Sequence, residues 1–125
     1  MSKVIGIGGV FLKTEDTAAL AGWYARVLGF DIQEWGGVMW PPPPTGYSVW
    51  SPFKASSDYF DPSPLSFMIN LMVDDLDGVL AHAAAEGVEP VGREDGDFGK
   101  FAWVIDPLGL KLELWEPAAE AVAEA

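Results

Sequence analysis

The chain has no cysteine, a single histidine, and only seven lysines and arginines among 125 residues. Without cysteine there is no disulfide, no thiolate nucleophile and no Cys-ligated metal site. Seven bases against 19 acids leave a formal net charge of −12. Nucleic-acid binding draws on Lys and Arg against phosphate, so that partner is excluded. The chain also lacks an apolar run long enough to span a bilayer. Met1-Ser2-Lys3 leads into a strand-like segment, not into the apolar region and small-residue cleavage site of a secretory signal. The expectation is one compact cytoplasmic domain with no nucleic acid and no membrane among its partners. The lone His82 falls off the apolar face of its helix pattern and is expected to be a partly exposed helix residue outside any site.

What the chain does have is a repeat. Gly9-Val10-Phe11-Leu12-Lys13-Thr14-Glu15-Asp16 opens one half, and Met68-Ile69-Asn70-Leu71-Met72-Val73-Asp74-Asp75 opens the other. Each is strand-like, ends in Asp and precedes an amphipathic helix pattern. A second echo closes each half: Ser48-Val49-Trp50-Ser51-Pro52 against Glu113-Leu114-Trp115-Glu116-Pro117. In the first half, Ile5 to Leu12 reads as a strand, and Asp16 or Thr17 caps a helix to Leu28 that Gly29 stops. Strands are predicted at Phe30 to Trp35, Val38 to Trp40 and Tyr47 to Phe53, with a turn at Gly36-Gly37 and a stiff Pro41 to Pro44 segment. In the second half a strand covers Ser66 to Val73 and Asp75 caps a helix to Glu86. Strands follow at Val88 to Val91, Phe101 to Ile105 and Leu110 to Trp115. Asp106-Pro107-Leu108-Gly109 is a hairpin turn signal. The predicted class is α+β. Two tandem βαβββ modules, about 4–53 and 66–117, are joined by a linker at 54–65 and followed by a helical tail at 118–125.

This combination resembles the vicinal oxygen chelate superfamily of glyoxalases, extradiol dioxygenases and bleomycin-resistance proteins. The likeness is carried by Asp16 with Trp23-Tyr24 and Leu28-Gly29-Phe30, by Val73-Asp74-Asp75-Leu76 with Gly87-Val88, and by Asp106 through Leu114. The resemblance implies two half-barrels that curl around a ligand groove, and commonly a homodimer. It also implies a divalent metal held by four side chains, one from the opening and one from the closing strand of each module. The matching positions here are Gly9, Ser48, Met68 and Glu113, and only Glu113 is an ordinary ligand type. One carboxylate does not hold a catalytic metal. The expectation is therefore no cofactor. A Zn, Ni, Mn or Fe ion would be required only under the alternative reading, a lyase, isomerase or dioxygenase working through Glu113.

Strand alternation refines the site. If Glu113 faces the groove, Lys111 and Trp115 face it too, while Leu112 and Leu114 face the helices. By the repeat, Ser48 and Trp50 face inward in the first module, with Trp50 the pseudo-symmetric partner of Trp115. Trp35, Trp40, Trp103 and Phe101 lie on other predicted strands, and Tyr59-Phe60 in the linker either close over the groove as a lid or pack the linker itself. An aromatic, acidic groove suits a planar or cationic small molecule, by stacking and cation–π contact. Glu113 either anchors such a ligand or pairs with Lys111, Lys100 or Arg93. The function expected from these residues is binding, with a metal-dependent or metal-free enzyme using Glu113 as the alternative.

Overall fold

The computed structural model describes residues 2–119. The tail expected at 118–125 lies outside the described residues from Glu120 onward. Helix α1 spans Thr17–Leu28. The Asp16 side chain accepts the Ala19 amide at 2.9 Å to cap it, and Gly29 in the left-handed region (φ 74°) ends it. Strand β1 (Ile69–Met72) leads into helix α2 (Leu76–Ala85), capped by Asp75 in the same manner as α1 by Asp16. Strands β2 (Gly92–Gly96), β3 (Gly99–Ile105) and β4 (Lys111–Pro117) complete the second half. The sheet order is β1-β4-β3-β2, with β1 parallel to β4 and the other pairs antiparallel.

The architecture is mixed α+β: two helices on an open four-stranded sheet. The side-chain period of two puts Ala102 and Val104 of β3 and Leu112 and Leu114 of β4 on one face. These residues pack with Leu76 of α2, Tyr24 of α1 and Leu110 as the buried core. The hairpin between β3 and β4 closes as its turn residues dictate, with the Gly109 amide donating to the Asp106 carbonyl at 3.0 Å. Asp106 also joins the halves: one carboxylate oxygen accepts the Tyr24 hydroxyl at 2.6 Å, the other the Leu108 and Leu110 amides. No helix among the described residues is long and apolar enough to cross a membrane.

The second half has the expected βαβββ order, although its second strand begins at Gly92, later than the Val88 to Val91 reading. Val91 makes only one bond toward the sheet, donating to the Trp103 carbonyl at 2.7 Å. In the first half the helix forms but the predicted strands do not. Among the described residues no ladder strand precedes Ile69, and only Gly46 makes an isolated bridge. The Gly36-Gly37 turn closes, with the Gln33 amide donating to the Gly37 carbonyl at 2.8 Å, but no ladder extends from it. The reason is a missing partner. A strand is stable only when its polar backbone is paired and one face is buried. Gly6, Gly8 and Gly9 offer no side chain to pack, and Pro41 to Pro44 cannot donate. Ile5 and Phe11 are 94% and 95% exposed.

Candidate functional site

The sheet face opposite the helices carries the polar and aromatic side chains, and the strand register arranges them in rows. Asn70 of β1 and Trp103 of β3 lie opposite Glu113 of β4, one on each side. In the next row Met72 and Phe101 flank Trp115. Since register places these residues side by side, the contacts across each row follow from strand geometry. Asn70 Nδ2 donates to Glu113 Oε1 at 2.7 Å, and Trp103 Nε1 donates to Glu113 Oε2 at 2.9 Å. Phe101 and Trp115 stack with centroids 6.0 Å apart and planes within 6°. The Trp115 indole N–H donates to the Phe98 carbonyl at 2.9 Å.

The linker covers this face. Successive turns fold it, as the Ser57 amide donates to the Lys54 carbonyl, Asp61 to Asp58 and Ser63 to Phe60. Ser63 Oγ donates to the Gly109 carbonyl and Lys111 Nζ donates to the Tyr59 carbonyl at 2.7 Å, tying it to the sheet side. The Tyr59 hydroxyl donates to Glu113 Oε2. Its ring stacks on Phe53 (5.4 Å, 17°) and meets Trp103 edge-on (6.0 Å, 90°). Lys111 Nζ lies 5.3 Å from the centroid of Tyr59 and 5.5 Å from that of Trp103, a cation–π position on both. Burial, together with the hydrogen bond and charge of Glu113, raises the Tyr59 phenol well above its ordinary pKa, so it stays a donor.

The structure thus gathers Glu113, Trp103, Trp115, Phe101 and Tyr59, with Phe60 behind Phe53 at 5.1 Å. It does not gather the first-half candidates. Trp50 is 82% exposed, Trp35 and Ser48 are exposed, and Tyr47 rather than Trp50 meets Trp115, edge-on at 5.1 Å. Trp40, also exposed, touches Phe30 beside α1. Their strands form no ladder, so the alternation that pointed them inward has no sheet to act through. Glu113 pairs with none of the three bases weighed for it. Lys111 holds the linker, Arg93 pairs with Asp77 and Asp95, and Lys100 lies near Asp77 and Glu116. Asn70 and Phe53 escaped the sequence reading. Asn70 left a signal, as the one polar side chain inside the apolar run from Phe67 to Val73. Phe53 left none, because its contact with Tyr59 depends on the linker turns.

His82 is exposed on α2 and borders a shallow pocket of about 260 Å³ between the end of α1 and the start of α2. That pocket lies in the helix layer and is lined by no Phe, Tyr or Trp. Among the described residues, no three His, Cys, Asp or Glu side chains gather closely enough to hold a metal ion. Gly9 and Ser48 are exposed, and Glu113 turns both oxygens toward N–H and O–H donors. Donor hydrogens occupy the space a cation would need, so this set does not fit a divalent ion.

The Glyoxalase-like domain family matches residues 9–115, and the chain belongs to it, within the vicinal oxygen chelate superfamily. Among solved structures the chain is similar to TnmS3, an antibiotic binding protein from Streptomyces sp. CB03234. The identity is 22% over 92% of this chain and 100% of that one, with a TM-score of 0.54. It is also similar to TioX from Micromonospora sp. ML1, at 20% identity over 91% of this chain and 95% of that one, with a TM-score of 0.52. At these identities the likeness is one of fold. No curated protein matches the chain.

Proposed function

We propose that this chain is a metal-free binding protein of the glyoxalase and bleomycin-resistance type. It would hold a small aromatic or cationic molecule on the Glu113 face of its sheet. The observation that carries this reading is the row Asn70, Glu113, Trp103. It is one carboxylate fixed by two strand-borne donors and bordered by Trp103, Trp115 and Phe101. With the covering Tyr59 side chain moved aside, such a face would offer flat aromatic area and one anchoring acceptor, the combination that binds and orients aromatic guests. The fold shared with TnmS3, described as an antibiotic binding protein, supports the same reading. Titration of planar aromatic compounds, neutral and cationic, against tryptophan fluorescence tests it. Saturable quenching at one compound per chain is expected, and a flat response across the panel refutes the reading.

We also propose that two copies associate. The sequence repeat, the unladdered first half with its exposed Ile5, Phe11 and Trp50, and the open β1 edge support a second copy as the missing strand partner. Sedimentation equilibrium at micromolar concentration should give twice the chain mass of 13.5 kDa, and a monomer would refute pairing. The cysteine-free sequence supports a cytoplasmic setting.

A further inference from the structure

We propose that Tyr59 is a built-in stand-in for the ligand, and that the molecule this face takes carries a phenol which displaces it. The inference rests on the binding reading above and narrows it from aromatic or cationic to phenolic. Glu113 has three donors of unequal origin. Asn70 and Trp103 sit on adjacent strands and are fixed by register. Tyr59 comes from the irregular linker, and the residue is 37% exposed. The linker backbone is tied down separately, by Lys111 Nζ on the Tyr59 carbonyl and Ser63 on Gly109. Rotation of the Tyr59 side chain alone therefore vacates the face without unseating the segment.

The vacated place has a definite chemistry. Glu113 Oε2 keeps the Trp103 N–H and regains a free lone-pair direction where the Tyr59 hydroxyl was. One aromatic wall is Phe53, which stacks on the departing ring, and another is Trp103, which meets it edge-on. A hydroxylated planar ring reproduces all of these contacts. A cationic ring fits less well, because Lys111 already holds the cation–π position over both Tyr59 and Trp103. A carboxylated ring would set its charge against Glu113. An O-methylated ring keeps the stacking but has no proton to donate. Tyr59 then acts as an intramolecular competitor, and the apparent affinity for a guest falls with the fraction of chains in which the face is open.

The test compares 2-naphthol with 2-methoxynaphthalene by tryptophan quenching, in the wild-type chain, Tyr59→Phe and Tyr59→Ala. Tyr59→Ala should bind 2-naphthol roughly tenfold more tightly than the wild type and prefer it roughly tenfold over 2-methoxynaphthalene. Tyr59→Phe, which keeps the competing ring but loses its hydroxyl, should fall between. Adding Glu113→Gln to Tyr59→Ala should erase most of the preference, with circular dichroism confirming the fold of each variant. Unchanged or weaker naphthol binding in both Tyr59 variants would overturn the stand-in role. Equal binding of the two naphthalenes would overturn the phenol assignment while leaving aromatic binding standing. Absence of quenching by either compound in every variant would overturn the phenol assignment, and the binding reading itself would fall with a flat response across the neutral and cationic panel.

Discussion

Replacing Tyr24 by Phe should destabilise the chain more than any other loss of a single hydroxyl. The Tyr24 hydroxyl donates to Asp106 Oδ2 at 2.6 Å, and the two residues are 7% and 5% exposed. The other carboxylate oxygen of Asp106 is already engaged by the Leu108 and Leu110 amides at 2.8 and 2.9 Å. Without the phenol, Oδ2 is left without its donor in a residue that is only 5% exposed. A hydrogen bond to a charged group contributes about 1.5–3 kcal/mol, and orphaning its acceptor costs a similar amount. The ring packing that remains, with Phe30 at 5.0 Å and Trp23 at 5.1 Å, is untouched, so little apolar burial is lost. A chain of this length unfolds with an entropy of about 0.25 kcal/mol/K, so the loss corresponds to a Tm drop of roughly 6–12 °C. Thermal melts followed by circular dichroism, at one fixed protein concentration, read it directly. A cycle with Asp106→Asn should give a coupling of at least about 1 kcal/mol. A Tm shift below about 2 °C for Tyr24→Phe would show that the bond does not tie α1 to the β3–β4 hairpin, and the reasoning would fail.

Alkaline conditions should destabilise the fold through its tyrosines. Burial and the nearby carboxylates, Asp106 for Tyr24 and Glu113 for Tyr59, raise both phenols above their ordinary value of 10.0. The folded state therefore retains protons that the unfolded chain releases, and this contribution is full below pH 10.0 and lost progressively above it. Urea melts between about pH 8 and 11 should show this fall, and Tyr24→Phe should flatten it; equal slopes would count against the assignment. Gly46→Ala should cost about 1–3 kcal/mol. Gly46 holds φ 89°, and an added Cβ would lie 2.5 Å from Met72 Sδ and 3.0 Å from Pro117 Cγ. A melt identical to the wild type would mean that this segment does not rest on the sheet. Equilibration with Fe(II), Mn, Ni and Zn followed by desalting and mass spectrometry should leave no stoichiometric metal. About one ion per chain would overturn the metal-free reading and bring an enzyme forward.

The parts of this fold legible in the sequence are those that depend on near neighbours. Asp16 and Asp75 cap helices because a carboxylate three residues from an amide needs nothing else to reach it. Asp106 to Gly109 turns for the same local reason. The alternation of Lys111 to Trp115 places Glu113 opposite Leu112 and Leu114 whatever the sheet packs against. Strand pairing is different, since it requires a partner that the strand pattern cannot supply. Residues 5–12, 30–35, 38–40 and 47–53 carry strand-like composition, yet in one chain they find no ladder, and Trp50, Trp35 and Trp40 lose the placement inferred for them.

Composition and periodicity by themselves determined the α+β class, both helices with their caps and the β3–β4 hairpin, while Glu113 was singled out by the family resemblance and only its side of the strand by alternation. Each follows from chemistry acting within a few residues. Tertiary structure alone decided that Asn70 and Trp103 flank Glu113, because their contacts depend on register between strands. It also decided that Tyr59, 54 positions from Glu113 in the chain, donates to it, and that Tyr24 locks to Asp106 across 82. These are meetings of side chains whose separation along the chain carries no periodic signal, and only the packed sheet with its folded linker brings them within bonding distance.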